Sequence, residues 1–170
     1  MTGLDDLRLA GEVVGVDHEG WTAALRLEFE RNAFNPVVGG QLLASTDRAR
    51  VWGIRLAPGE RLAAHRHVLD YVWTAITAGR SRQHTHDGTT RLVDYQPGDT
   101  RDFRFPAGHY LLHDLENIGT TELIFTTVEF LDSPNPPLPL PQHATAGPRP
   151  TGGLGPQGGD EAKSARLPSP

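Results

Sequence analysis

The stretch HRHVLDY, residues 65–71, runs into the apolar segment YVWTAIT, residues 71–77, and places two histidines one residue apart. Side chains alternate along a β-strand, so His65 and His67 point to the same face, about 6–7 Å apart along the strand. Two imidazoles at this spacing can bind one metal ion if the strand twists or bends. Surface histidines or hydrogen-bonded core histidines have the same spacing, so a third ligand elsewhere in the chain has to decide between these interpretations.

The centre of the chain, about residues 35–132, has the pattern of an all-β domain. Its short segments are rich in β-branched and aromatic residues, which suit a half-buried pleated sheet. These segments are RVWGIRL, YVWTAIT, TTRLVDY, DFRF and ELIFTTVEFL. Pro58-Gly59 and Pro97-Gly98 predict type II turns, and Asp87-Gly88 predicts a hairpin. Turns about every 8–12 residues indicate a β-sandwich or a small barrel.

The segment before this centre carries a helical pattern. In DHEGWTAALRLEFERN, residues 17–32, the apolar side chains Trp21, Leu25 and Phe29 recur every fourth residue, which predicts an amphipathic helix. Leu25, Leu27 and Phe29 also alternate, so a strand is the competing interpretation.

The C-terminal part, residues 133–170, holds ten of the fourteen prolines and almost no aromatic or β-branched residues. Such a segment buries too little apolar surface to offset the entropy cost of ordering it. We expect PNPPLPLP, residues 134–141, to run as an extended strip along the domain surface. Beyond about Gln142 we expect disorder.

Composition excludes several classes of protein. The net charge is −5, and no run or stripe of basic residues is present, which argues against a nucleic-acid partner. The chain has no cysteine, so it has neither disulfides nor thiolate metal ligands. No apolar run approaches the length of about 18 residues that a membrane span needs. We therefore expect a cytoplasmic protein without a membrane or nucleic-acid partner.

Two groups of residues resemble the two sequence motifs of the cupin superfamily. In the first, Gly59 is followed after five residues by the pair His65-Arg-His67; in the second, Pro106-Ala-Gly108 precedes His113, and Asn117 follows four residues later. The resemblance spans about residues 50–130 and implies a conical β-sandwich barrel, or jelly roll. The implied divisions are an N-terminal, partly helical extension (1–34), the barrel (35–132) and a mostly disordered tail (133–170). The chain is similar to small bacterial cupins that include proteins labelled as β-alanine degradation proteins.

The resemblance implies a metal site formed by His65, His67 and His113. Where the family pattern has a glutamate, this chain has Tyr71, so the expected site lacks a carboxylate. Tyr71 is the candidate catalytic residue, as a hydrogen-bond donor to the substrate, and its alternative role is that of an amphipathic core residue. Because the spacing after Pro106-Ala-Gly108 is displaced, His109 is the reserve candidate for the third ligand.

Three neutral imidazoles suit Fe(II), Zn, Ni or Cu and leave a coordination position for a substrate. We expect one divalent metal per chain, with Fe(II) first and Zn or Ni as alternatives. Some cupins with three histidines and no glutamate are iron dioxygenases, which implies an Fe(II) oxygenase acting on a small enolisable or carboxylated substrate. A non-redox isomerase, cyclase or lyase and a small-molecule-binding protein without catalysis are the alternatives. Since dimers are common in this superfamily, we expect a homodimer.

Other polar residues carry weaker expectations. His84 and His86 precede the Asp87-Gly88 turn and are expected to be solvated at a hairpin tip. Glu129 is the one acid in the apolar segment ELIFTTVEFL, and it is expected to face outward; facing inward, it would supply the missing carboxylate. One of four arginines could lie at the pocket mouth and meet a carboxylate substrate. They are Arg48, Arg50, Arg80 and Arg82.

Overall fold

The computed structural model describes residues 9–142 and 144, and within them the predicted all-β class is confirmed. One short helix and ten strands follow each other along the chain. They are β1 (Glu12–Gly15), α1 (Ala23–Arg31), β2 (Gln41–Ser45), β3 (Ala49–Leu56), β4 (Arg61–His67), β5 (Tyr71–Ala75), β6 (Gly79–His84), β7 (Thr90–Tyr95), β8 (Thr100–Phe103), β9 (Leu111–Asn117) and β10 (Leu123–Phe130).

The strands form two five-stranded sheets in which every recorded pairing is antiparallel. The first sheet has the order β1-β7-β6-β9-β4, and the second has the order β2-β3-β10-β5-β8. Neighbouring strands are often distant in sequence, as expected for a jelly roll rather than a simple meander. The predicted β-sandwich with jelly-roll connections is therefore present.

Side-chain alternation places the core between the two sheets. Along β10, the buried residues Leu123, Phe125, Thr127 and Glu129 alternate with more exposed ones. The largest core cluster draws side chains from both sheets, among them Ile54 and Phe125 from the second sheet and Tyr95 and Leu115 from the first. The interior faces of both sheets therefore meet, and any site between them is shielded from bulk solvent.

The predicted turns are present where proline and glycine required them. Gly59 and Gly98 have φ angles of 83° and 90°, in the left-handed region that glycine adopts without steric cost. The backbone N–H of Glu60 donates to the carbonyl of Ala57, which closes the four-residue turn around Pro58-Gly59. Gly88 also has a positive φ, 86°, in the connection between β6 and β7.

Helix α1 confirms the helical interpretation of residues 17–32, although it begins only at Ala23. Thr22 caps it, because its hydroxyl accepts a hydrogen bond of 3.1 Å from the backbone N–H of Leu25. Phe29 is buried, whereas Leu27 is 43% exposed, so the alternating strand pattern is not realised. A strand that the sequence did not predict, β1, precedes the helix and pairs with β7.

An ion-pair network attaches α1 to the outer face of the first sheet. Arg61 on β4 forms hydrogen bonds of 2.8 Å to both carboxylate oxygens of Glu28 on the helix. The same guanidinium lies 2.7 Å from Asp114 on β9, whose side chain is fully buried. The Arg61 hydrogen bonds hold the pKa of Glu28 below its usual value, although partial burial opposes the shift. The helix is thus held by charge as well as by its apolar contacts.

The PNPPLPLP segment lies against the barrel without regular secondary structure. Arg50 donates to the carbonyl of Leu138 at 3.2 Å, and the buried Asn135 side chain donates to the carbonyl of Val68 at 3.0 Å. The disorder predicted beyond about Gln142 falls mainly on residues 143 and 145–170, which lie outside the described residues. Ala144, which is described, packs against the core cluster of Val38, Leu42 and Trp52. Within the described ranges, no helix has the length and apolar character needed to span a membrane.

Candidate metal centre

Three histidines meet between the sheets. His65 and His67 lie on β4, and His113 lies on the adjacent strand β9, directly opposite His65 in the strand register. Their nitrogen ligand atoms lie within 4.8 Å of one another. The ring centroids of His65 and His113 are 4.6 Å apart, and that of His67 lies 5.1 Å and 5.3 Å from them. The structure thus brings together the three residues that the sequence singled out.

Hydrogen bonds orient two of the imidazoles. Nδ1 of His65 lies 2.9 Å from the carbonyl oxygen of Ala63, and Nδ1 of His113 lies 3.2 Å from Oε1 of Gln83. Both oxygens can only accept, so each Nδ1 carries the hydrogen and each Nε2 keeps its lone pair. A fixed tautomer of this kind is what a metal-binding histidine requires.

Gln83 is itself held in place by two hydroxyl groups. Its amide nitrogen donates to Tyr95 Oη at 2.8 Å and to Ser81 Oγ at 3.4 Å. The amide nitrogen therefore faces the hydroxyls, which leaves the amide oxygen for His113. Gln83 was not predicted as a site residue, because its role depends on the pairing of β6 with β9, which no local sequence pattern indicates.

Burial keeps the three imidazoles neutral. It lowers the pKa of His65 to about 4 and the pKa values of His67 and His113 well below their usual value. The neighbouring imidazoles add to the effect, because a second positive charge in the cluster would be repelled. Neutral imidazole is the form that binds a metal, so the cluster needs no deprotonation at physiological pH.

The cluster fits a divalent transition metal. Nε2 of His113 and Nδ1 of His67 are buried and have no hydrogen-bond partner, and such atoms are costly unless something else satisfies them. Bonds of about 2.0–2.1 Å would hold three imidazole nitrogens about 3 Å apart, so rotations of the rings close the set. The metal-site group among the described residues contains no carboxylate.

A cavity of about 60 Å³ adjoins the histidines. Its far wall comes from the second sheet, where Ile54, Trp73 and Phe125 contribute apolar surface. Leu9 and Ala10, at the start of the described chain, also line it. None of the described lining residues is an aspartate, glutamate, lysine or arginine.

Tyr71 lies against the cluster rather than at a distance from it. Its ring stacks on that of His67, with centroids 4.0 Å apart and an angle of 16° between the planes. It is 3% exposed and lines the cavity. Burial raises its pKa, and the nearby Glu129 raises it further, so the phenol keeps its proton and can only lend a hydrogen bond. Its proposed catalytic role stays a prediction.

The two residues held in reserve for the site lie elsewhere. His109 is outside the histidine cluster, and its backbone N–H closes a turn onto the carbonyl of Pro106. The expectation that Glu129 faces outward is wrong, because the residue is 3% exposed and accepts a hydrogen bond of 2.9 Å from Trp52 Nε1. It does not line the cavity or join the histidines, so it does not replace the missing carboxylate.

The expectation that His84 and His86 are solvated is also wrong. His84 is 9% exposed, and its Nδ1 lies 2.8 Å from the buried Asp114 carboxylate. His86 is half-buried and stacks on Tyr110. The tip of the hairpin is covered rather than exposed to solvent. Thr85 forms a β-bridge to β9, and the segment before α1 places Trp21 against the His84 ring. Both histidines lie outside the metal-site group.

None of the four arginines considered for a substrate carboxylate lines the cavity. Arg82 forms a two-pronged pair with Glu116, Arg80 lies near Asp94, and Arg50 bonds the C-terminal segment. Arg48 is exposed. Among the described lining residues, the three histidines with a bound metal ion are therefore the groups that could bind a substrate anion.

Comparison with known proteins finds similarity in structure. No family model and no curated protein matches the chain. A cupin domain from Bordetella pertussis Tohama I aligns over 53% of this chain and 88% of its own, with a TM-score of 0.47 and 24% identity. An RmlC-like cupin family protein from Methanocaldococcus jannaschii aligns over 53% and 76%, with a TM-score of 0.44 and 20% identity. A variant oxalate decarboxylase from Bacillus subtilis aligns over 52% and 22%, with a TM-score of 0.39 and 23% identity.

The similarity extends to the fold, and the label of β-alanine degradation has no counterpart in it. The two facing antiparallel sheets, the glycine turn before β4 and the histidines on β4 and β9 are features of this chain itself. With this architecture, the chain has the two-sheet jelly-roll fold that its sequence resemblance to cupins implies.

Proposed function

We propose that the protein is a mononuclear Fe(II) oxygenase of the dioxygenase type, acting on a small enolisable or carboxylated substrate bound beside the histidine cluster. The observation that carries the proposal is the chemical character of the cavity. Apart from the three histidines, its described lining offers hydroxyl and amide groups but no side chain that titrates near neutral pH.

A non-redox isomerase, cyclase or lyase is typically accelerated by a positioned side chain that takes up or gives off a proton near neutral pH. Here the two tyrosines that line the cavity are poor candidates. Burial raises the pKa of Tyr95 to about 12, and it raises that of Tyr71 as well. A substrate that arrives as an enolate or a carboxylate needs no such group, and this favours oxygenase chemistry over proton-transfer chemistry.

Each protein group has a defined part in this proposal. His65, His67 and His113 hold the ion, and as neutral ligands they leave its charge to attract an anionic oxygen of the substrate. A ferrous ion bound there would supply the one-electron chemistry that reaction with O₂ requires. Tyr71, stacked on His67, keeps its phenol proton and offers a hydrogen bond to the substrate. The apolar wall excludes water from the reacting groups.

The test uses protein purified anaerobically, stripped of metal and reloaded with Fe(II) or Zn(II). We expect the Fe(II) protein to consume O₂ in the presence of small β-dicarbonyl compounds and the Zn(II) protein to consume none. His113→Ala should abolish uptake together with metal binding, whereas Tyr71→Phe should keep the metal and lower turnover. Equal turnover with zinc, or turnover without O₂, would instead support the Lewis-acid alternative.

A further inference from the structure

The cavity has two chemically different ends. The histidines of the first sheet form one end. The second sheet lines the cavity with the apolar side chains of Ile54, Trp73 and Phe125, and with the hydroxyl groups of Thr127 and of Tyr71, which stacks on His67. Ile54 and Phe125 are 6% and 4% exposed and belong to the main apolar cluster. A ligand that reaches from one end to the other therefore meets a cation site at its head and hydrocarbon at its tail.

Charged groups near the barrel do not serve the apolar end. Arg61 is occupied by Glu28 and Asp114 on the outer face of the first sheet. The buried Glu129 is hydrogen-bonded to Trp52 and does not line the cavity. An ammonium group or a second carboxylate placed against Ile54 and Phe125 would lose its hydration without gaining a partner of opposite charge among the described lining residues.

The cavity is small, about 60 Å³, so short-chain carboxylates are the appropriate probes of its chemistry.

We propose that the substrate has a single anionic oxygen end and an uncharged apolar remainder, and that zwitterions of the same size are excluded. The inference rests on the proposed function only in that a metal ion at the histidines receives the anionic end. It also has a specific consequence: β-alanine, with an ammonium group at the far end from its carboxylate, binds this cavity poorly because of its charge and not because of its size.

Butyrate and β-alanine form a matched pair of probes, because they have the same number of non-hydrogen atoms and differ by a methyl group in place of an ammonium group. Their dissociation constants can be measured by calorimetry on the full chain loaded with Zn(II). We expect butyrate to bind at least 100-fold more tightly than β-alanine. β-Alanine binding within tenfold of butyrate would overturn the inference, and so would the absence of butyrate binding.

A charge placed at the apolar end should reverse the preference. Ile54→Asp adds a carboxylate opposite the histidines and should shift the ratio of the two dissociation constants at least tenfold toward β-alanine. Ile54→Asn, of equal size and without charge, should not. An unchanged ratio in a folded Ile54→Asp protein would overturn the inference; if that variant fails to fold, the wild-type comparison decides by itself.

The calorimetric measurement is independent of the oxygenase proposal. Zinc-loaded protein performs no reaction with O₂ under that proposal, so the dissociation constants report on the cavity alone. Failure of the Fe(II) protein to consume O₂ would remove the oxygenase proposal and leave the butyrate preference intact. Failure of the chain to bind zinc would overturn both.

Discussion

The buried side chain of Glu129 tests how strongly the barrel interior disfavours an ionised group. Its side chain is 3% exposed and accepts one hydrogen bond from Trp52. Burial raises its pKa from 4.5 to about 7, and the Trp52 hydrogen bond opposes the shift without cancelling it. The folded protein therefore prefers the neutral carboxylic acid, whereas the unfolded chain ionises at its ordinary pKa.

The sign and size of the effect follow from this difference. Because the folded-state pKa is the higher one, the stability that Glu129 contributes is fully present below pH 4.5 and is lost as pH rises through about 7. At about 1.36 kcal/mol per pKa unit, the whole loss is about 3 kcal/mol in the free energy of unfolding. Most of it, about 2.5 kcal/mol, falls between pH 5 and pH 8.

The assay compares wild type with Glu129→Gln by urea unfolding of metal-free protein at both pH values. The amide keeps an acceptor for Trp52 and cannot ionise, so the stability of wild type relative to the variant should fall by about 2.5 kcal/mol from pH 5 to pH 8. Glu122→Gln is the matched control, because this half-exposed glutamate pairs with Arg55 at the surface and should show no comparable dependence. A relative stability for Glu129→Gln that stays constant within about 0.5 kcal/mol would refute the reasoning.

Three further outcomes are expected. Gln83→Met should weaken metal affinity about 10–100-fold, because the His113 imidazole loses the acceptor that orients it. Gln83→Glu, which still accepts the hydrogen bond from His113, should largely retain metal affinity. Equal affinities of the two variants in a competitive chelator titration would contradict the orienting role of Gln83. His84→Ala should lower the free energy of unfolding by about 1–3 kcal/mol in urea, because Asp114 loses a buried partner. It should leave the metal content unchanged, and a loss of metal would mean that the metal site had been assigned to the wrong histidines. Deleting residues 143–170 should leave the melting temperature and the metal content unchanged, and a drop of several degrees would show that this segment docks.

Local sequence patterns predicted the strand face of two histidines and the positions of several turns. Strand alternation put His65 and His67 on one face, and proline–glycine pairs located turns that the φ angles of Gly59 and Gly98 confirm. The position of His113 came from the cupin resemblance rather than from local pattern. The structure places it opposite His65 across the β4–β9 pairing.

The features that could not be predicted from the sequence depend on long-range packing. His84 is buried because Trp21, more than sixty residues away in the chain, covers it, and Glu129 is buried because Trp52 provides its donor. Gln83 orients His113 only because β6 pairs with β9. Such partners cannot be read from the spacing of neighbouring residues, and a lone acid in an apolar strand is more often exposed.

The central claim is that His65, His67 and His113 form one metal centre, and elemental analysis of metal-reconstituted, desalted protein tests it most directly. Wild type should hold one divalent transition metal per chain, and His84→Ala should hold the same amount. Each of the three alanine variants of the cluster should hold almost none, because two imidazoles from a buried set do not retain the ion. Full occupancy in His113→Ala, or no bound metal in wild type, would contradict the account.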